Sequence, residues 1–543
     1  MVIKLIMMFL FFAVMVGVGI YARTKAKSVG DFVLGGNTAG PWLTAFSYGT
    51  SYFSAVIFVG YAGQFGWKFG LASTWIGIGN AFIGSLLAWL ILGRRTRIMT
   101  NHLNSATMPD FFGKRYDSKA LRITASVIAF IFLIPYTASV YNGLSRLFAM
   151  AFDIKYEYCI LIMAALTGVY VILGGYMATT INDFIQGIIM LFGISAVVIS
   201  VLRGQGGFYS ALTKLSEVPV DASAPVQGQG IYNSFFGANP LDLLSVIILT
   251  SLGTWGLPQM VHKFYAIKNE KSIKTGAVVS TAFAVVVAGG CYFLGGFSRL
   301  FGTYEGGKLV EDGVIATIDK NGAFSIAFDA IIPRMLESLP DILIGIVVVL
   351  VLSASMSTLS SLVLTSASTV TLDIVKGNIL KEMSEKKQLV VLRCFLLFFV
   401  VLSVIIAWTK PTFIAQLMGI SWGALAGAFL APFMYGLYSK KVTKLSVWAS
   451  FVTGVGITVA GLLVSQLHGP VVIGSLTLTS PIVTGALAML SGLVIVPIVS
   501  LVTPKLKAEK VEEIFTCYNK VVAVPKKMYL EEDESDKSEK KDN

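Results

Sequence analysis

Met356-Ser357-Thr358-Leu359-Ser360-Ser361 sets four hydroxyls into an otherwise apolar stretch running from Ile342 to Val370. Hydrocarbon offers them no water, so each needs a partner inside the protein. Projected on a helix, Ala354, Ser357, Thr358, Ser361, Thr365 and Ser368 fall within an arc of roughly 100°. Such a stripe suits either close packing against a neighbouring helix or coordination of a small hard cation. Asp183, within Thr179-Thr180-Ile181-Asn182-Asp183-Phe184, is the clearest carboxylate beside an apolar helix. An acid in that setting is either a helix-start residue or an intramembrane functional group. Cys159, Cys291, Cys394 and Cys517 lack metal-ligand spacing, and the first three read as buried, inert thiols. His102, His262 and His468 fall at the edges of apolar stretches, so the sequence offers neither a zinc cluster nor a nucleophile–base pair.

The elements that must position these groups are membrane helices. The chain has 543 residues, 55% of them hydrophobic and only 13% charged, and a mean hydropathy of +0.76. This composition points to an all-α polytopic membrane protein and excludes a soluble enzyme. Apolar stretches long enough to span a bilayer lie near residues 3–22, 41–67, 70–93, 121–151, 156–176, 182–203 and 239–263. Others lie near 274–302, 340–374, 389–409, 411–438, 446–468 and 477–502, so about thirteen transmembrane helices are expected.

Two of these stretches carry helix-breaking chemistry. The second holds Ser47, Gly49, Thr50, Ser51 and Ser54 halfway along, and the seventh holds Gly253-Thr254-Trp255-Gly256-Leu257-Pro258. Proline removes an N–H and clashes with the carbonyl four residues back. Loosened backbone survives at membrane depth only against protein or a watery cavity. Interrupted helices five spans apart suggest corresponding members of two inverted five-helix halves, with a transport site between them.

Basic residues set the expected orientation. Arg23, Lys25 and Lys27 follow the first span, and Arg94, Arg95, Arg97, Lys114 and Arg115 the third. Lys263, Lys268, Lys271 and Lys274 follow the seventh. Lys376, Lys381, Lys386, Lys387 and Arg393 follow the ninth, and Lys440, Lys441 and Lys444 the eleventh. A count of thirteen puts all of them on one side, cytoplasmic by the positive-inside rule, with the N-terminus outside. The net charge of +12 then reflects topology and contact with anionic membrane lipid, not a nucleic-acid surface. Val2–Tyr21 reads as a retained helix, Arg146 as a snorkelling side chain, and His262 as an interfacial helix end.

The expected layout is an additional N-terminal helix and cytoplasmic loop (1–40), a first inverted repeat (41–203), an extracellular loop (204–238) and a second repeat (239–438). Two C-terminal helices (439–502) and a charged, largely disordered cytoplasmic tail (503–543) complete it.

The chain resembles the sodium:solute symporter family over roughly residues 5–500. The resemblance is carried by Gly174-Gly175 through Asp183 and Gln186, by Ser357-Thr358, by Met108-Pro109-Asp110-Phe111-Phe112 and by Asp31-Phe32-Val33-Leu34-Gly35-Gly36. It implies a ten-helix core of inverted repeats with one extra helix before it and two after. It also implies a sodium (Na+) site of the Thr50, Phe53 and Ala354 carbonyls with the Ser357 and Thr358 hydroxyls. Asp183, Ser360 and Ser361 look like the second sodium site of some members. Sugar-binding members carry amide and carboxylate side chains at positions roughly matching Ile57 and Gly77, and proline-binding members an aspartate where this chain has Tyr52. The absence of sugar-type ligands, with a closer local likeness to the proline-binding members around Ser421-Trp422-Gly423, favours an amino acid or small carboxylate as solute. Gln64, Asn80, Tyr136, Thr250, Thr254, Trp255 and Trp422 are the candidate solute contacts, each equally readable as packing.

The expected function is sodium-coupled import of a small organic solute into the cell by alternating access, without enzymatic chemistry. A solute-binding membrane sensor and a proton-coupled transporter of the same fold are the alternatives. The tail is too short for a kinase or nucleotide-binding output domain, which argues against the sensor.

Overall fold

The computed structural model describes residues 2–23, 29–34, 40–221, 224–267, 271–318, 324–379, 383–409 and 413–519. Lys25, Lys27, Gly35-Gly36, Lys268, Lys381 and the tail run Glu531-Glu532-Asp533-Glu534 lie outside the described residues.

Apolar stretches become helices because lipid leaves backbone polar groups no other partners. The first nine are α1 (Val2–Arg23), α2 (Val29–Leu34), α3 (Pro41–Tyr52), α4 (Ala62–Phe69), α5 (Thr74–Gly79), α6 (Arg94–His102), α7 (Met108–Arg115), α8 (Lys119–Phe152) and α9 (Tyr156–Gly204). A loop carrying α10 (Phe208–Glu217) leads to α11 (Pro240–Gly256), α12 (Pro258–Tyr265) and α13 (Lys271–Gly295). A second loop holds two antiparallel hairpins, β1 (Tyr304–Glu305) with β2 (Lys308–Leu309) and β3 (Ala316–Ile318) with β4 (Phe324–Ile326), then α14 (Ile331–Leu336). Next come α15 (Asp341–Thr369), α16 (Glu385–Thr409), α17 (Ile414–Tyr438) and α18 (Lys444–His468). The hairpin of β5 (Val472–Ile473) and β6 (Leu476–Thr477), α19 (Pro481–Val502) and α20 (Ala508–Phe515) close the described chain.

Among the described residues ten helical stretches are long and apolar enough to cross a membrane, or up to eleven if α11 and α12 form one bent span. The figure is lower than the thirteen hydropathy windows because windows on either side of a backbone break are joined. Val56–His102 is counted as one 47-residue stretch, although the chain turns at Gly70 (φ 62°, ψ −143°) between α4 and α5. The windows at 156–176 and 182–203 meet in the 49-residue α9, which is broken at Gly175 (φ 59°, ψ −161°). That conformation is open essentially to glycine alone.

Helix α15 is the axis of the bundle. Every residue from Leu350 to Thr369 is buried, so the hydroxyl stripe and the opposite face alike meet protein. Its neighbours include α9, α8, α1 and α3. Beyond Thr369 the chain continues in π-turns to Asp373, which is latched to the starts of α7 and α8. The Asp373 carboxylate accepts from Thr107 Oγ1 at 2.5 Å and pairs with Arg122 at 3.1 Å; Arg122 also reaches Asp110 at 3.5 Å. Thr107 is the N-cap of α7, accepting the Asp110 N–H, and Pro109 sits in the first turn, where its missing donor costs nothing.

Three expectations are corrected here. Residues 508–518 are folded: Val511, Ile514 and Phe515 recur at helical spacing on α20 and are buried, as is Cys517. Cys394 is exposed, on a face of α16 shared with exposed Leu397, Phe398 and Val401. Arg146 pairs with Asp329 at 3.5 Å instead of reaching freely for headgroups. Burial pushes the Asp329 carboxyl up to about 6, opposed by the Arg146 charge and by the Ile414 N–H.

Small residues let backbones touch in lipid, where no hydrophobic force between helices exists. A Cβ on Gly66 would lie 2.0 Å from the Gly295 carbonyl oxygen, and one on Gly295 would lie 2.1 Å from the Ala62 oxygen. The outcome expected for Gly66→Ala is therefore a forced separation of α4 and α13, costing about 1–3 kcal/mol. A thermal-unfolding scan checks it, with Gly17→Ala, which meets nothing within 4 Å, as the neutral control. Equal midpoints for the two variants would contradict the close approach.

Candidate functional site

Helix α3 stops at Tyr52, Phe53 takes extended backbone (φ −89°, ψ 125°), and helical turns resume at Val56. Ser54 supports the restart, its Oγ accepting the Val56 N–H at 3.2 Å. A helix end leaves its last carbonyls without intrahelical donors and carries the negative pole of the helix dipole. The hydroxyl stripe of α15 lies against that end. Ser357 Oγ sits 3.0 Å from both Thr50 O and Ala354 O. Thr358 Oγ1 sits 3.1 Å from Phe53 O and Ala354 O, 3.3 Å from Ser51 O and 3.4 Å from Thr50 O. Thr50, Phe53, Ala354, Ser357 and Thr358 therefore converge, together with the Ser51 carbonyl, which sequence reasoning did not include.

A hydroxyl has one proton to donate. Two protons cannot serve four carbonyl oxygens, so a surplus of lone pairs faces one buried point. Oxygens 3.0–3.4 Å apart also suit a hard cation bound at roughly 2.4 Å. This cluster can hold a small cation.

Asp183 has a different neighbourhood from the one expected. It is fully buried on α9, about two turns beyond Gly175. Its Oδ2 accepts from Ser47 Oγ at 2.5 Å and lies 3.5 Å from Lys263 Nζ, which also donates to Ser47 Oγ at 2.8 Å. Ser360 instead donates to Ser357 O at 2.9 Å, and Ser361 Oγ lies 2.8 Å from Ser51 Oγ. No hydrogen bond links Asp183 to Ser360 or Ser361 among the described residues. The cation beside this carboxylate is a lysine of the chain itself.

Lys263 was expected in an aqueous loop and His262 at an interface; both are buried. The backbone explains it. Leu257 is extended (φ −80°, ψ 123°) and α12 departs from α11 at 44°, which carries Lys263 inward against α3 and α9. The ammonium also lies 5.3 Å from the Tyr176 ring centroid, and the same ring meets His262 edge-on at 5.5 Å. In sequence Lys263 looks like its neighbours Lys268, Lys271 and Lys274; only its position five residues after Pro258 sets it apart.

Of the candidate solute contacts, two meet at the break in α3. Tyr136 and Trp422 pack edge to face at 5.8 Å, and Tyr52 lies 5.9 Å from Trp422. Gly253 of α11 admits the indole, since a Cβ there would lie 2.5 Å from it. The Tyr52 and Tyr136 hydroxyls and the Trp422 N–H make no hydrogen bond of normal geometry among the described residues. Gln64 Oε1 and Asn80 Nδ2 are likewise buried with no hydrogen-bond partner among the described residues, while Asn80 Oδ1 accepts from Ser251 at 3.3 Å. The remaining three are committed to packing. Thr250 donates to Val246 O at 2.8 Å within its own helix. Thr254 and Trp255 donate to Gly84 O and Ile83 O, each at 2.9 Å, tying α11 to the π-turn at Asn80–Leu87. In sequence Tyr52 stands out only as a departure from proline-binding relatives; the structure places it beside the break, against Trp422.

Comparison with known proteins agrees with this architecture. The sodium:solute symporter family model matches residues 32–454. The osmoregulated proline transporter OpuE of Bacillus subtilis is 28% identical over 82% of this chain and 86% of its own length. The sodium/proline symporter of Salmonella typhimurium is 26% identical over 81% and 84%. Among solved structures, a Na+-coupled sialic acid symporter in a substrate-bound outward-open state superposes with a TM-score of 0.68 at 16% identity, covering 93% of this chain and 99% of that one. Mhp1, a nucleobase-cation-symport-1 family transporter, gives 0.52 at 15% identity over 89% and 98%. The chain belongs to the sodium:solute symporter family and couples the passage of a small solute across the membrane to sodium.

Proposed function

We propose that sodium binds among the Thr50, Phe53 and Ala354 carbonyls and the Ser357 and Thr358 hydroxyls, and that the cotransported solute is proline or a similar small amino acid. The surplus of carbonyl lone pairs where α3 breaks against α15 is the observation that carries this reading. The solute lies beside the ion, against Tyr136, Trp422 and Tyr52, with Gln64 and Asn80 supplying polar contacts and Thr250, Thr254 and Trp255 framing the pocket from α11. Aromatic walls suit an apolar ring, and the names of the curated relatives favour proline. Sodium closes the gap between the two helices, which favours the solute-binding arrangement before the two inverted five-helix halves rock around the site.

The protein works as a transporter and not as an enzyme, in the plasma membrane and in contact with lipid. Its N-terminus is outside, its C-terminus is cytoplasmic, and no nucleic acid is involved. The basic clusters after the first, third, seventh, ninth and eleventh hydropathy windows support this orientation.

Uptake of labelled proline into proteoliposomes tests the proposal. An inward sodium gradient is expected to drive accumulation, and an equal potassium gradient is not. Uptake driven by a proton gradient in sodium-free buffer would replace sodium by protons, and binding without flux would make the protein a sensor. A panel of other amino acids, organic acids and sugars in the same assay tests the choice of solute.

A further inference from the structure

A cavity of about 460 Å³ opens at the molecular face that carries α7 and α20. Lys444, Lys505, Lys507 and Lys510 line it together with Arg115. These five cations face a single carboxylate, Asp117, which Lys510 engages at 2.6 Å. That hydrogen bond, reinforced by the charges of Lys510, Lys444 and Lys507, holds the Asp117 carboxyl below the usual range. The cavity is therefore a basin of unbalanced positive charge.

Arg115 gives the basin a built floor. It is fully buried, and its Nε and Nη2 donate to Gly436 O and Ser439 O, each at 2.9 Å. Its Nη1 has no hydrogen-bond partner among the described residues. The Phe515 and Tyr116 rings, 4.9 and 5.1 Å from the guanidinium, offset part of the cost of that unpaired nitrogen, and an acceptor would offset more. Oxygens of a phosphate are the matching acceptors, because the guanidinium fork is shaped for them.

The rest of the lining identifies which phosphate. Leu445, Trp448 and Ile514 form an apolar wall beside the cations. The basin also sits at the ends of two membrane-length helices: Lys444 opens α18, and Pro504-Lys505 follow the last residues of α19. This is headgroup depth, where basic side chains and Trp meet lipid. A soluble phosphate ester would use the cations and leave the apolar wall wet. A phospholipid would use both.

We propose that this basin binds the headgroup phosphate of an anionic glycerophospholipid, with its acyl chains running along Leu445 and Trp448. The site is separate from the sodium and solute cluster, and its test does not depend on transport.

Delipidated full-length protein is titrated with phosphatidylglycerol, phosphatidylcholine or glycerol 1-phosphate and read by native mass spectrometry. Phosphatidylglycerol is expected to bind most tightly. The triple variant K444Q/K505Q/K507Q is expected to weaken it about 100-fold, at roughly fivefold per lysine. The charge-matched control K376Q/K386Q/K387Q, which alters exposed lysines elsewhere, is expected to retain wild-type affinity. Equal weakening in the two triple variants would reduce the effect to net charge and overturn the proposal. So would glycerol 1-phosphate binding as tightly as the lipid, or equal affinity for the two lipids.

Discussion

Thr358→Ala raises the sodium concentration that half-activates uptake by roughly tenfold to a hundredfold, while membrane insertion is preserved. Thr358 Oγ1 is the hydroxyl in contact with the most carbonyls at the break: four of them lie within 3.4 Å. Removing it takes one oxygen from the ion and one donor from a crowd of acceptors. A polar contact to a charged partner is worth about 1.5–3 kcal/mol, which sets the range. Ser357→Ala is expected to follow in the same direction with a smaller shift, because Ser357 Oγ meets two carbonyls and not four. Proline uptake against sodium concentration in proteoliposomes checks both variants. Unchanged sodium activation in both would remove the cluster from the coupling mechanism.

Lys263→Met has the larger consequence for stability. Asp183 and Lys263 are both buried, and Ser47 bridges them. Deleting the ammonium leaves a carboxylate with one hydroxyl donor and no counter-charge in the bundle interior. Breaking a buried pair from one side costs about 3–5 kcal/mol, whereas replacing both members by uncharged residues is often close to neutral. The thermal midpoint of Lys263→Met is therefore expected to fall steeply, and the double variant K263M/D183N to recover most of the loss. Additive losses in the double variant would mean that the two groups do not interact. The same cycle bears on ion stoichiometry, since a carboxylate already matched by lysine has less need of a second sodium.

What could be read in advance was local. The break near Thr50 announces itself through clustered glycine and hydroxyl residues, the break near Leu257 through Pro258, and the stripe on α15 through helical spacing. Each signal sits within a dozen residues, and the structure joins the first and third at hydrogen-bond distance. The partner of Asp183 was hidden because it depends on the 44° turn between α11 and α12, which no periodicity encodes. Tyr52 was hidden for a related reason: its importance comes from two rings on distant helices, Tyr136 and Trp422. The ten or eleven continuous stretches are fewer than the thirteen hydropathy windows because helical segments adjoin across breaks at Gly70 and Gly175. The fold of residues 508–518 was visible as a short apolar spacing, but the surrounding lysines masked it.

The salt link at Asp373 has a mechanical meaning. The helix that carries the proposed sodium-binding hydroxyls at mid-depth is bolted, some fifteen residues further on, to Thr107 and Arg122. A stiff rod gripped at two points cannot tilt at one without loading the other. The proposed ion site at the centre and this distal bolt thus lie on one rod, and severing the bolt is expected to make its swing less dependent on the ion.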